Sequence, residues 1–128
     1  MALRIFPSGL ADESKWFLLL VALLASPAIA AEPEHWRSVK GVALQNLFSE
    51  KEFADGVHFA YQFRRDGTFT GTEMAKSVRG SWDVRQDEFC WKWRPGPEEC
   101  YEVQRDGRHV RLLVNRSEAW SGTLEPLR

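Results

Sequence analysis

The stretch Val57-His58-Phe59-Ala60-Tyr61-Gln62-Phe63-Arg64, followed at once by Arg65-Asp66-Gly67-Thr68, decides the fold. Val57, Phe59, Tyr61 and Phe63 alternate with His58, Ala60, Gln62 and Arg64, the period of a strand with one buried face. Asp66-Gly67 then signals a hairpin. In an antiparallel pair a slip of one residue turns every side chain over, so the apolar pattern selects the register. A two-residue turn at Asp66-Gly67 would set Phe69 against Arg64. A three-residue turn with Gly67 left-handed sets Phe69 against Phe63 and Gly71 against Tyr61, and keeps the apolar face together.

The same reasoning carries forward. A turn at Gln86-Asp87 pairs Val84 with Phe89 and Trp82 with Trp91. The loop Pro95-Gly96-Pro97 pairs Phe89 with Tyr101 and sets Cys90 opposite Cys100, where a cross-strand disulfide fits. Its short loop is worth on the order of 2–3 kcal/mol. The bridge falls on the outer side, with Lys92, Glu98 and Glu102. A two-residue turn at Asp106-Gly107 pairs Val103 with Val110, Tyr101 with Leu112 and Glu102 with Arg111. Turning through Ala75-Lys76 sets Gly71 opposite Gly80.

These registers give seven strands, roughly 57–64, 68–74, 78–84, 88–93, 98–104, 108–114 and 119–125, each with one apolar face. Such a sheet must curl or be covered. The expected fold is mainly β: an antiparallel seven-stranded meander forming a strongly curved sheet or small barrel, with one N-terminal helix. Ser38 is the expected N-cap of that helix, and Val39, Val42, Ala43, Leu47 and Phe48 form its apolar stripe.

The run Tyr61-Gln62-Phe63-Arg64-Arg65-Asp66-Gly67-Thr68, then Gly71, then Gly80-Ser81-Trp82, then Cys90 and Cys100, resembles small exported bacterial proteins of unknown function. The likeness covers about residues 38 to 125. It implies an exported calycin-like or lipocalin-like β-domain and no established activity, so no catalytic residue is carried over.

Upstream, Trp16 to Ala25 form an unbroken apolar run, preceded by Arg4 and Lys15 and broken by Ser26-Pro27. Ala28-Ile29-Ala30 supplies the small residues of a signal-peptidase site, with the cut after Ala30. The run is short for a membrane span, which needs about 20 residues. Residues 1–30 read as a signal peptide, 31–37 as a polar lead-in and 38–128 as one domain. The expected location is the periplasm or the exterior, an oxidising setting in which a Cys90–Cys100 bridge persists.

The 17 basic and 18 acidic residues nearly balance, at a net charge of −1. That excludes the basic face a nucleic-acid binder carries. His35, His58 and His109 lack metal-ligand spacing, and no nucleophile elbow, zinc-protease helix or phosphate loop is present. No cofactor, metal or catalytic set is expected, and the protein is read as a monomer.

Two features single out candidate residues. Glu99 falls in the inner row with Phe63, Phe69, Trp82, Trp91, Val114 and Trp120; a carboxylate among rings is a candidate site. Alternatively it lies at a rim, turns outward beside Glu98, or pairs with Arg94. The facing glycines Gly71 and Gly80 leave a gap between Tyr61 and Trp93. That gap either admits an apolar or aromatic ligand lined by Tyr61, Trp82, Trp91 and Trp93, or lets the sheet bend and a helix residue pack close. The leading expectation is therefore a non-catalytic exported β-domain binding a small apolar or aromatic molecule or an envelope component. The alternative is a protein-interaction module, such as an inhibitor of a secreted hydrolase, with Ala31–Arg37 and Trp36 as its projecting segment.

Overall fold

A computed structural model describes residues 35–128. The expected signal peptide and the first residues of the lead-in lie outside the described residues. The chain order is β1 (Arg37–Val39), α1 (Gly41–Phe48), β2 (Lys51–Ala54), β3 (Phe59–Phe63), β4 (Thr68–Glu73), β5 (Lys76–Arg85), β6 (Glu88–Trp93), β7 (Glu98–Asp106), β8 (His109–Val114) and β9 (Ser117–Pro126). Strands β2 to β9 run up and down, each paired with the next. Pairing of β2 with β9 closes them into an eight-stranded antiparallel barrel. Closure removes the free sheet edges that an open meander would present.

Two strands were not foreseen from the sequence. At β2, Phe53 is the one large inward residue of a four-residue segment, too short for alternation to show. Its pairings with β3 and β9 supply the order instead. The extra strand β1 adds Arg37, Ser38 and Val39 to the part of β7 beyond its pairing with β6. Ser38 therefore faces Gln104 and caps nothing; Lys40, in an extended conformation, precedes the helix without a side-chain cap. The inward face of α1 is Leu44, Leu47 and Phe48, while Val42 is exposed and Val39 is buried in β1. Val57, expected within a strand, stands on the loop before β3 and is exposed.

The hairpin that decides the fold has the expected register: Phe63 faces Phe69, Tyr61 faces Gly71, and Gly67 takes φ +90°. The β5–β6 and β6–β7 registers also hold, including Trp82 opposite Trp91 and Cys90 opposite Cys100. Cys90 and Cys100 are disulfide-bonded. Two registers differ. The β7–β8 turn is Gly107-Arg108, so Val103 faces Leu112 and Arg105 faces Val110. Gly107 at φ +61° takes the first central position, where this turn class favours glycine. The shift is by two residues, which keeps every side chain on its face and changes only partners. Arg111 consequently faces Gln104 rather than Glu102, and donates from Nε and Nη2 to its Oε1 at 2.8 and 2.6 Å. The β4–β5 turn is Met74-Ala75, both at positive φ, so Gly71 faces Val78 and Gly80 faces Phe69.

Aromatic rings fill the interior. Helix α1 places Phe48 among the rings of β2, β3, β5 and β6. Phe48 stacks on Phe89 at 4.2 Å and meets Phe63 and Phe53 edge-on at 5.5 and 6.2 Å. It is fully buried. Such rings combine large buried area with offset or edge-to-face attraction. Phe48→Ala is expected to destabilise the fold by about 3–5 kcal/mol, measured as a lowered denaturant midpoint at unchanged slope. A loss below about 1 kcal/mol would show that the barrel end closes without this ring.

Candidate functional site

Because neighbouring strands are antiparallel, the turns alternate between the two ends of the barrel. The β3–β4, β5–β6 and β7–β8 turns share the end from which β2 departs after α1. The β2–β3, β4–β5, β6–β7 and β8–β9 connections form the opposite rim. Candidate residues from the sequence separate into three places: the packed interior, a carboxylate-centred network, and the outer wall.

Tyr61, Trp82 and Trp91 are core residues, at 0%, 4% and 1% exposure. Trp91 meets Tyr61, Phe63, Phe69, Phe89, Tyr101 and Trp120. No gap exists at the glycines. A Cβ at Gly71 would lie 2.2 Å from the Ala60 carbonyl oxygen and 2.9 Å from Tyr61 Cα. At Gly80 it would lie 2.1 Å from the Lys92 carbonyl oxygen and 2.6 Å from the Phe69 ring. Both glycines serve close backbone approach in a tightly bent sheet. Trp93 faces inward, edge-on to Tyr61, Phe69 and Trp91 at 5.2, 5.2 and 5.0 Å, and with Gly71 it borders a concavity that extends onto the outer wall.

Glu99 faces inward opposite Trp91, as its register position implies. Its Oε2 accepts from the Tyr101 hydroxyl and, at 3.3 Å, from Trp91 Nε1–H. Trp120 Nε1–H in turn donates to the Tyr101 oxygen at 3.3 Å. Burial, with the Glu99 hydrogen bond and charge adding to it, pushes the Tyr101 phenol up to about 12, so it remains a donor at neutral pH. A buried indole or phenol needs such an acceptor. The inward carboxylate therefore has a structural role, since it serves two polar tips of the core, one of them linked to a third. Arg94 is no partner of Glu99. Nearby, the Tyr61 hydroxyl is buried beside the Glu73 carboxylate without a well-formed hydrogen bond. Burial, assisted by the Glu73 charge, pushes its phenol well above the ordinary range.

The rim carries exposed apolar residues, of which the sequence pattern assigns Val57 and Val114 to the inner face. Val57, Met74 and Val114 are 82%, 67% and 43% exposed. Val114, expected in the inner row, stands at the end of β8 beyond a register shift between Leu112 and Leu113. Asp55 fixes the Val57 loop: Oδ1 accepts from the backbone N–H groups of Val57, His58 and Phe59 at 2.9, 2.7 and 3.0 Å. Its Oδ2 lies 2.8 Å from His58 Nδ1. Met74 N–H donates to the His58 carbonyl at 2.8 Å and ties the neighbouring turn to this loop. Burial raises the Asp55 pKa, but donors from Phe59, Val57 and His58 outweigh it and hold the carboxyl far below its ordinary 3.8.

Other candidates are committed elsewhere. Trp36 is half-buried, with the Arg111 guanidinium 4.3 Å from its ring centre, so the described part of the lead-in does not project. The thiols of Cys90 and Cys100 lie near Glu98 but are consumed by the disulfide. On that face Arg85 pairs with Asp83 at 3.2 Å and with Glu98. The closed antiparallel barrel and the disulfide agree with the calycin-like expectation. No protein-family model matches the chain, and no curated protein or solved structure matches it.

Substitution at these positions separates the contacts. Glu99→Leu leaves Trp91 N–H and the Tyr101 hydroxyl without their acceptor and is expected to cost about 2–4 kcal/mol, while Glu99→Gln keeps an acceptor and costs less than half of that. Tyr61→Phe, which removes a hydroxyl that has only a poorly formed contact with Glu73, should change stability by less than about 1 kcal/mol. Denaturant titration checks all three, and equal losses for Leu and Gln would dismiss the network. For Asp55, the lowered folded-state pKa means its stabilisation is complete above 3.8 and is lost as pH falls from there towards the folded value. Asp55→Ala should therefore lower Tm at neutral pH, with the gap to wild type narrowing below 3.8. A gap independent of pH in a thermal-melt series would contradict this.

Proposed function

We propose that the protein is an exported, non-catalytic calycin-like module that works by contact with a protein of the cell envelope or exterior, as an inhibitor of a secreted hydrolase would. The observation that carries this reading is the contrast between interior and rim. The interior is filled with rings, so an enclosed apolar ligand has no space beside Gly71 or Gly80. Besides Val42 of α1, the exposed large apolar side chains among the described residues stand at the other end, Val57 and Met74 on two connections and Val114 at the end of β8. Exposed apolar groups at one end favour a protein contact there. Both connections are held in place, by Asp55 and by the Met74–His58 hydrogen bond. A pre-fixed loop loses less entropy on binding.

Export is supported by the apolar run and Ala28-Ile29-Ala30 of the first thirty residues, and by the disulfide. Intact mass of the exported protein should fit a chain beginning at Ala31 and two hydrogens lighter than its reduced form. Size-exclusion chromatography with envelope extract tests the contact. Wild type should move into a larger complex, and Val57→Asp combined with Met74→Asp should abolish that shift without lowering Tm. A complex indifferent to both changes, or a small molecule retained in the native mass of the barrel, would overturn the rim reading.

A further inference from the structure

The outer wall of β3 to β6 carries a groove of about 710 Å³ that includes Gln62, Thr70, Thr72, Ser77, Arg79 and Arg94, with Trp93 also lining it. The strand registers build it. Gln62 faces Thr70, Thr70 faces Arg79, and Thr72 faces Ser77. Arg94 donates its backbone N–H to the Arg79 carbonyl at 3.0 Å, which sets the two arginines side by side where the β5–β6 ladder ends.

Some arginines of the fold have side-chain partners and others, such as Arg37 and Arg116, have none among the described residues; this pair is set apart by its adjacency in one groove. Arg85 pairs with Asp83 and Glu98, Arg108 with Glu125, and Arg111 with Gln104. Arg79 and Arg94 are exposed, and among the described residues neither meets a carboxylate. The backbone hydrogen bond places both guanidinium-bearing side chains on neighbouring strands of one groove. An oxyanion held there would accept charge-assisted guanidinium hydrogen bonds.

The remainder of the groove is uncharged, with three hydroxyls and an amide beside apolar Val78, Trp93 and Pro95. Thr70, Thr72 and Ser77 can each donate and accept. Gln62 Nε2 donates to Glu52 at 2.7 Å, which leaves the amide oxygen as an acceptor. Glu52 thus stands beyond Gln62, at the opposite end of the row from the arginines. Trp93 packs inward on Tyr61, Phe69 and Trp91, and the part of its ring that stays half-exposed borders the groove. One cationic end, a bank of neutral hydrogen-bonding groups and the edge of a ring suit a molecule with one acidic group and many hydroxyls.

We propose that this groove binds an acidic saccharide, its carboxylate between Arg79 and Arg94, its hydroxyls on Thr70, Thr72 and Ser77, and its ring against Trp93. The groove includes none of Val57, Met74 and Val114, so this binding stands or falls separately from the rim contact.

The test is an NMR titration of the isotopically labelled exported protein with a glucuronate-containing oligosaccharide, glucuronate, glucose and inorganic phosphate. The oligosaccharide should saturably shift the amide signals of Thr70, Thr72 and Ser77 and the indole signal of Trp93. Glucose and phosphate should bind at least about tenfold more weakly, and Arg79→Gln should weaken oligosaccharide binding by about tenfold or more. Tm of that variant should hold, because Arg79 is exposed and makes no ion pair within the described fold. Tighter binding of the oligosaccharide than of glucuronate identifies a polymer of the envelope as the source; equal binding identifies a free sugar acid. Phosphate binding as tightly as either would reduce the groove to a bare oxyanion site and overturn the saccharide. No saturable shift at Thr70 and Ser77, or full binding by Arg79→Gln, would overturn the site.

Discussion

Trp91 sets the terms for the rest of the molecule. It is the largest fully buried side chain and touches rings contributed by β3, β4, β6, β7 and β9. A ring of that size leaves little room in the interior for anything else, and the close approach of Gly71 to Ala60 and Tyr61 and of Gly80 to Lys92 and Phe69 adds no space. Its indole N–H must also be met. Glu99, directly opposite on β7, meets it and takes the Tyr101 hydroxyl as well. An inward carboxylate that looks like a functional anomaly in the sequence thus follows from the choice of a buried tryptophan.

The two ends of the barrel differ as a consequence. At one, Phe48 extends the aromatic packing and α1 holds it there. At the other, the interior ends in half-buried Trp93, Glu99 and Trp120, and the connections carry exposed apolar groups. Eight-stranded barrels are wide enough either to be filled by side chains or to hold one small ligand. This one takes the first course, so its capacity for recognition has moved to the rim and the outer wall.

Alternation made most of the sheet legible in the sequence. Phe59-Ala60-Tyr61-Gln62-Phe63 and the Gln86-Asp87 and Pro95-Gly96-Pro97 connections fix their registers, and with them the disulfide partners. What remained hidden was of another kind. β1 and β2 are three and four residues long and owe their strand state to partners distant in sequence. Met74-Ala75 carries no turn signal, yet both residues adopt positive φ because the strand pairings on either side demand that turn. The β7–β8 register moved by two, an error that face alternation cannot detect, since it turns no side chain over. Of the candidate site, the row containing Glu99 was visible, whereas its hydrogen-bond duties were not. The supposed glycine gap was a product of the wrong β4–β5 partner.

The same register explains why the outer wall is the more informative surface. With Gly80 opposite Phe69, the outward row becomes Gln62, Thr70 and Arg79, and Arg94 follows beyond the ladder. Had Gly71 faced Gly80, Thr70 would have lost Arg79 as its direct partner and the row would not align. An inner face can be understood from packing alone, because every ring there has a neighbour to satisfy. Two arginines side by side on the outer face have no such account within the fold. They keep their positions through backbone pairing that is indifferent to side-chain charge, and packing within the described chain assigns their side chains no role.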